Sequence, residues 1–141
     1  MNLTEKAKQM TAHLLTLRRL QDKSEEDFIA SLGGLTLPQI KILNIIGDSE
    51  PCTMGEIAKK TSLSLSSITL IVDKLVKQKL ITRLRSDEDR RIVYAKLAPE
   101  GKRIYQVQIE RYNLVGHMLL STLNEQEQDM FINILKKMTG L

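Results

Sequence analysis

Apolar residues recur every three or four positions along most of the chain, and this spacing predicts a protein built mainly of amphipathic helices. The first predicted helix has Thr4 as a candidate N-cap and ends at Gly33 and Gly34, since glycine often follows the last turn of a helix. Its apolar positions are Ala7, Met10, Leu14, Leu17, Leu20, Phe28 and Ile29.

Two short helices are predicted next. Pro38 suits a first helical turn, and Gly47 and Pro51 end this second helix. The apolar stripe that we expect to be buried consists of Ile40, Ile42, Leu43, Ile45 and Ile46. Thr53 and Glu56 have the spacing of a capping box, in which each side chain bonds a free backbone N–H. A third helix therefore begins directly after Thr53.

A fourth helix, capped by Ser64 and running to about Gln78, has two distinct faces. The expected inward positions are Leu65, Ile68, Val72 and Leu75. The outward positions are Ser66, Ser67, Thr69, Leu70 and Lys74. The outward residues are small or polar except for Leu70, which suits a helix that enters a DNA groove about 12 Å wide. This segment is the candidate recognition helix.

Residues 81–85 and 92–97 alternate in the manner of two strands, and a charged loop from Ser86 to Arg91 joins them. Arg83 and Arg85 should lie on one side of the first strand, where we expect them to contact phosphate. A groove-sized helix followed by a basic hairpin predicts a winged helix-turn-helix. The helix-turn-helix covers about 53–78, and the wing covers about 81–97.

Two further helices are predicted after the hairpin. Pro99 begins a long one that reaches about Leu120, and Asn124 or a neighbour begins the last one. Their apolar positions include Ile104, Val107, Ile109, Leu114, Met130, Phe131, Ile134, Leu135 and Met138. Together with the first helix, these segments carry more apolar surface than a small DNA-reading head needs. We therefore expect a homodimer to bury it.

Composition, charge and motifs limit the classes of function that this chain can have. The chain has 141 residues and 42% hydrophobic content, which suits one domain. Ten basic and four acidic residues lie between Ile57 and Lys96, so this stretch carries +6 of a total charge of only +4. Such a block suits a phosphate-facing surface, although a solvated face would look similar. No phosphate-binding loop, zinc-protease motif or Cys/His pairing is present, so an enzyme and a bound cofactor are not expected.

The single cysteine, Cys52, excludes an internal disulfide, and no apolar run approaches the length of a membrane span. We therefore expect a cytoplasmic protein that is not attached to a membrane. Cys52 precedes a helix start, where a thiolate would be stabilised, but a redox role is the less favoured interpretation. His13 and His117 stand alone and predict no metal site. The six methionines are expected to fill gaps in the core.

From Pro38 to Gly101 the order of helices, serine-capped helix and charged hairpin resembles the multiple antibiotic resistance regulator (MarR) family of transcription factors. The segment from Ile68 to Leu75 is similar to the family's recognition-helix core. The triplet Asp89-Arg90-Arg91, followed by Leu97 and Gly101, is similar to its wing signature. The resemblance extends over essentially the whole chain. It implies a mostly α fold with a small β-hairpin wing, in which residues 1–36 and 99–141 form dimerisation helices around a head at 37–98.

The resemblance also implies roles for individual residues. The recognition helix contacts base edges or phosphates, and a wing-tip arginine, Arg90 or Arg91, enters the adjacent minor groove. In the family an aspartate and the arginine two positions later hold the wing's shape, which corresponds here to Asp89 and Arg91. The candidate DNA-contacting residues are Ser64, Ser66, Ser67, Thr69, Leu70, Lys74, Arg83, Arg85, Asp89, Arg90 and Arg91.

Four positions depart from the family pattern, and one of them is Ser62, which stands where glycine is frequent in the helix-turn-helix turn. Leu70 stands where arginine is common, so one polar groove contact is lost or is replaced by an apolar contact with a thymine methyl. Lys79 stands where glycine usually ends the recognition helix, and lysine is costlier than glycine in the left-handed conformation. Ala98 replaces the usual threonine cap, which should weaken the start of the following helix by about 1 kcal/mol.

The expected function is a homodimeric repressor on a pseudo-palindromic operator in double-stranded DNA. The resemblance further implies a small aromatic or amphipathic effector, which would enter a crevice between the first helix, the head and the fifth helix. The alternative is a winged-helix module that binds protein partners, or nucleic acid without sequence preference. Sequence-specific competition separates the two, because non-specific binding predicts steep salt dependence with no preferred site.

Overall fold

The computed structural model describes residues Met1–Leu141 and is mainly helical. Its elements in chain order are α1 (Leu3–Ser31), α2 (Leu37–Ser49), β1 (Cys52–Thr53), α3 (Met54–Lys59), α4 (Leu65–Lys77), β2 (Ile81–Arg85), β3 (Val93–Leu97), α5 (Pro99–Leu120) and α6 (Glu125–Thr139). The chain forms two compact units, residues 1–105 and 106–141. The mostly α fold with a β-hairpin wing is therefore confirmed.

Side-chain caps define where most of the helices begin. Thr53 and Glu56 form the predicted capping box of α3, and Ser64 accepts a hydrogen bond from the backbone N–H of Ser67 at the start of α4. The predicted cap of α1 is wrong, because Asn2 rather than Thr4 occupies that position and shares a capping box with Glu5. Asn124 caps α6 through a capping box with Glu127, and it was one of the residues predicted to begin this helix.

The core lies in the head, where α2, α3, α4 and the sheet meet. Its fully buried side chains include Ile40, Ile42, Leu43, Ile46, Ile57, Ile68, Val72 and Leu75. The prediction for Leu65 is wrong, since this side chain at the first position of α4 is 55% exposed. The methionine prediction is also wrong, because no methionine is buried and only Met54 is half-buried against the core.

The hairpin belongs to a three-stranded antiparallel sheet with the order β1-β3-β2. Cys52 pairs with Ala95 in β1 and β3, and Arg83 pairs with Ala95 from the other side. The two-residue strand β1 was not predicted, because a run this short has no visible alternation. It anchors the base of the wing to the segment before α3.

Two glycines lie where a neighbouring part of the chain packs so closely that a side chain would not fit. Gly47 was expected to end α2 but lies within it, and a Cβ there would collide with the ring of Tyr105. At Gly101, in the first turn of α5, a Cβ would collide with the backbone carbonyl oxygen of Leu80. The same Leu80 oxygen accepts a hydrogen bond from the Ala98 N–H at 2.9 Å. Helix α5 therefore begins against the loop that follows α4.

Candidate nucleic-acid interface

Helix α4 buries one face and leaves a polar ridge on the other. Ile68, Val72 and Leu75 have no exposed surface, whereas Leu70 is 64% exposed. With about 100° of rotation per residue, Leu70 lies about 140–160° around the helix from those three side chains. The neighbouring exposed residues are Ser66, Lys74 and Lys77. The ridge, defined as Ser66, Leu70, Lys74 and Lys77, is thus the surface of α4 that points furthest from the core.

Lys77 was missing from the predicted contact residues. It lies seven positions after Leu70, which is two helical turns and therefore the same face. That spacing was the signal available in the sequence. Lys77 also lies in the last turn of α4, where a cation is favoured by the helix dipole.

The serine cluster at the start of α4 is tied together by hydrogen bonds. The Ser64 hydroxyl lies 3.1 Å from that of Ser66 and 2.9 Å from that of Ser67, and it also accepts the Ser67 backbone N–H. Thr69 donates its hydroxyl proton to the Leu65 carbonyl within the helix. Ser67 and Thr69 are half-buried, and the exposed Ser64 hydroxyl already has three hydrogen-bond contacts, so Ser66 is the hydroxyl of this group that is most available to a partner.

The wing tip, residues 86–92, has its own internal hydrogen bonds. The Ser86 N–H donates to the Ile92 carbonyl at 3.0 Å, and the Ile92 N–H donates to the Asp89 carbonyl at 2.9 Å. The Asp89 N–H donates to the Ser86 hydroxyl at 3.3 Å. These bonds close the loop at both ends, so the tip presents its charged side chains from a defined backbone.

Asp89 and Arg91 form the local pair that the family resemblance implied. The Arg91 guanidinium donates to both carboxylate oxygens at 3.1 Å, and the Arg91 backbone N–H donates to Oδ1 at 3.0 Å. These bonds to Arg91 lower the pKa of Asp89 from its usual value. The geometry is bidentate and charge-assisted, which fixes direction as well as distance.

Arg90 is the free arginine of the wing tip. Its side chain is exposed and has no hydrogen-bond or ion-pair partner in the structure, whereas its backbone carbonyl accepts a 3.4 Å bond from Arg85. Arg91 is occupied by Asp89. The sequence left the minor-groove role open between Arg90 and Arg91, and in the structure Arg90 is the one available to an external group.

Arg83 and Arg85 share one side of β2, as predicted, but both have partners within the chain. Arg83 forms an ion pair with Asp73 of α4, and Arg85 donates to the Arg90 carbonyl at the wing tip. Both guanidinium groups therefore have partners within the chain, although both side chains remain at least partly exposed. The ion pair of Arg83 and the hydrogen bond of Arg85 connect β2 to α4 and to the wing tip.

Lys79 adopts the left-handed conformation after α4, with φ of 61°. Its N–H donates to the Val76 carbonyl, and the next N–H, from Leu80, donates to the Leu75 carbonyl. This pattern is a Schellman motif, in which glycine is the usual residue at the left-handed position. The turn that directs the chain from α4 into the wing is therefore built with a lysine under conformational strain.

Cys52 lies in the core rather than at a reactive surface. It is 3% exposed, and burial together with the nearby Glu56 carboxylate raises the pKa of its thiol. A thiolate is thus disfavoured here, which is opposite to the stabilisation expected at a helix start. The redox interpretation loses its physical basis.

A cavity of about 320 Å³ opens in the head between α2 and α3. The Lys60 ammonium donates to the Ser49 hydroxyl at 2.7 Å on its edge. The residues that line it are Ile45, Ser49, Pro51, Cys52, Glu56 and Lys60. The volume is at the lower end of cavities that hold small ligands.

No helix of the protein has the combination of length and apolar character that crossing a membrane requires.

Comparisons with known proteins agree with this geometry. The family model described as the MarR family matches residues 35–93, which extend from α2 to the second wing strand. The HTH-type transcriptional regulator PchR of Bacillus subtilis (strain 168) is 27% identical over 123 residues, covering 85% of this chain and 72% of that protein. The HTH-type transcriptional regulator YsmB of the same organism is 30% identical over 104 residues, covering 74% of this chain and 71% of that protein.

Among solved structures, FabT of Streptococcus pneumoniae in complex with DNA superposes with a TM-score of 0.74. The match covers 94% of each chain at 18% identity, so it bears on the fold alone. The serine-capped α4 and the wing tip, residues 86–92, lie within the segment matched by the family model. The chain belongs to the MarR family of transcriptional regulators.

Proposed function

We propose that the chain is a sequence-specific regulator that binds double-stranded DNA as a homodimer and represses transcription until a ligand releases it. The observation that carries this proposal is the ridge of α4 beside an internally bonded basic wing. A helix about 10–12 Å wide fits the major groove, and the wing follows α4 within a few residues. The DNA-bound state of the structurally similar FabT supports the same use of this fold.

The surface divides into parts with different roles. Ser66, Leu70 and Lys74 on the ridge face base edges and phosphates in the major groove. Arg90 enters the adjacent minor groove, where negative potential attracts an unpaired guanidinium. Asp89 and Arg91 hold the tip in position and contribute little sequence information of their own.

The homodimer is supported by the exposure of α1. From Leu3 to Lys23 every side chain of this helix is exposed except that of Leu17, which is half-buried. A helix without tertiary contacts is only marginally stable. We therefore expect this exposed segment of α1 to pack against a second copy of the chain. Helix α6 likewise exposes Met130, Ile134 and Met138 along one face. A twofold dimer would then present two copies of α4 about 10 to 10.5 base pairs apart.

Ligand response is the finer part of the proposal, and the cavity between α2 and α3 supports it, which is a different place from the crevice beside the first and fifth helices that the resemblance implied. Ile45 and Pro51 offer apolar surface, and Lys60 offers a cation on the same rim. With the Glu56 carboxylate also in the lining, this combination suits a small aromatic or amphipathic effector. A coupling of roughly 1–3 kcal/mol would weaken operator binding by about 5- to 150-fold. An unchanged operator affinity across a panel of aromatic acids would contradict this part alone.

The proposal is tested by fluorescence anisotropy on duplexes selected from a random library at near-physiological salt. We expect one palindrome to be bound by a dimer with roughly 10³-fold preference over random duplex. Arg90→Ala should reduce that affinity, whereas Lys41→Ala, which removes the same charge from an exposed site on α2, should not. Steep salt dependence with no selected sequence would instead indicate the alternative, a module without sequence preference.

A further inference from the structure

Leu70 occupies the centre of the ridge of α4. Ser66 lies one turn before it and Lys74 one turn after it, so polar side chains flank it along the helix. Nearly two-thirds of its surface is exposed, and it points away from the buried Ile68 and Val72. A single exposed leucine is ordinary on a protein surface, but this one stands where a groove-binding helix meets the DNA.

The floor of the major groove offers few groups that a leucine can contact favourably. Guanine presents two acceptors, adenine an acceptor and a donor, and cytosine a donor. Covering any of these with an aliphatic side chain removes water without replacing its hydrogen bonds, which is unfavourable. Thymine alone presents a methyl group, at its C5 position. An apolar residue at this place therefore favours thymine both by contact and by excluding the other bases.

We infer that Leu70 reads the C5-methyl group of one thymine in each half-site of the operator. The inference rests on the proposed function of α4 as the DNA-reading helix. Leu70 is thus a specificity-determining residue, and Lys74 and Ser66 position the helix on either side of it. A 5-methylcytosine at the same position carries an equivalent methyl group and is expected to be bound better than cytosine.

The test replaces each thymine of the selected operator by deoxyuridine, which deletes only the methyl group. At one symmetric pair of positions we expect affinity to fall about fourfold per half-site, because burying one methyl contributes about 0.8 kcal/mol and 1.4 kcal/mol corresponds to tenfold. Replacing both half-sites should cost roughly fifteenfold. Leu70→Ala should bind the thymine and uracil operators equally well.

Leu65→Ala is the matched control. Leu65 lies on the same helix with comparable exposure, but about 140° around the axis from Leu70, so its removal should leave the uracil effect intact. A flat uracil scan on a selectively bound operator would overturn this inference and leave the proposed function standing. A uracil effect that persists in Leu70→Ala would assign the methyl contact to another side chain. Failure to select any operator would overturn the proposed function and the inference together.

Discussion

The guanidinium of Arg83 on β2 forms an ion pair with the carboxylate of Asp73 in α4. This contact joins the wing to α4 outside the hydrophobic core. Both side chains are more than one-third exposed, so the pair contributes little to global stability. Under the proposed function the wing and α4 reach different grooves, so we expect this ion pair to act mainly on the orientation of the wing relative to α4.

Replacing Asp73 by asparagine should therefore alter DNA binding more than folding. Asp73→Asn removes a negative charge beside the ridge and releases Arg83, so binding to random duplex should strengthen several-fold. The preference for the operator over random duplex should fall, because the wing is held less firmly. Anisotropy titrations of both duplexes at two salt concentrations measure these effects. A variant with an unchanged preference would show that the ion pair does not orient the wing.

Substitutions of the two wing-tip arginines should weaken DNA binding for different reasons. Arg90→Ala should lower operator affinity by about tenfold or more through loss of a minor-groove contact, with the melting temperature unchanged. Asp89→Asn and Arg91→Ala should each weaken binding by disordering the tip. Only these two variants should increase hydrogen exchange at the backbone amides of residues 86–92. Equal exchange in all three variants would contradict the division of roles.

Lys79→Gly should stabilise the protein. The left-handed conformation at φ 61° is strained for lysine and free for glycine, so the change should add about 1 kcal/mol to the free energy of unfolding. Urea denaturation measures the difference directly. Lys77→Gly, two residues earlier within α4, is the control, and it should destabilise the helix by about 1 kcal/mol.

The contact between Tyr105 and Asp48 should appear in the alkaline stability profile. The Tyr105 hydroxyl donates to the Asp48 carboxylate at 2.6 Å, and this bond with partial burial raises the pKa of Tyr105 to about 12. The folded state thus holds a proton that the unfolded chain loses near pH 10. The resulting stability is fully present below pH 10 and is lost as the pH rises towards 12, by about 1–2 kcal/mol.

Tyr105→Phe should lack this loss, so its unfolding free energy should fall less between pH 10 and 12 than that of the wild type. Tyr94→Phe is the matched control, because it removes a phenol from the wing without affecting Asp48. Parallel profiles for all three proteins would show that the Asp48 contact does not hold the Tyr105 proton.

The sequence by itself determined which elements form and where most of them begin. Apolar spacing identified the helices of the head, and the capping residues Ser64 and Thr53 located two helix starts correctly. These signals are local, since they depend on residues within one or two turns of each other. They failed where one residue type has two possible roles. A glycine can end a helix or allow close packing within it, and the missing side chain of Gly47 allows packing against Tyr105.

Only the tertiary structure decided which charged residues are available to a partner. The sequence could not separate Arg90 from Arg91, or recognise that Arg83 is held by Asp73, because ion pairs depend on side-chain directions across separate elements. It placed Leu70 on the outward face correctly, but it could not show that Leu65, on the other side of α4, is also exposed. Local periodicity defines the faces of a helix, whereas packing against the rest of the fold determines which part of each face is covered.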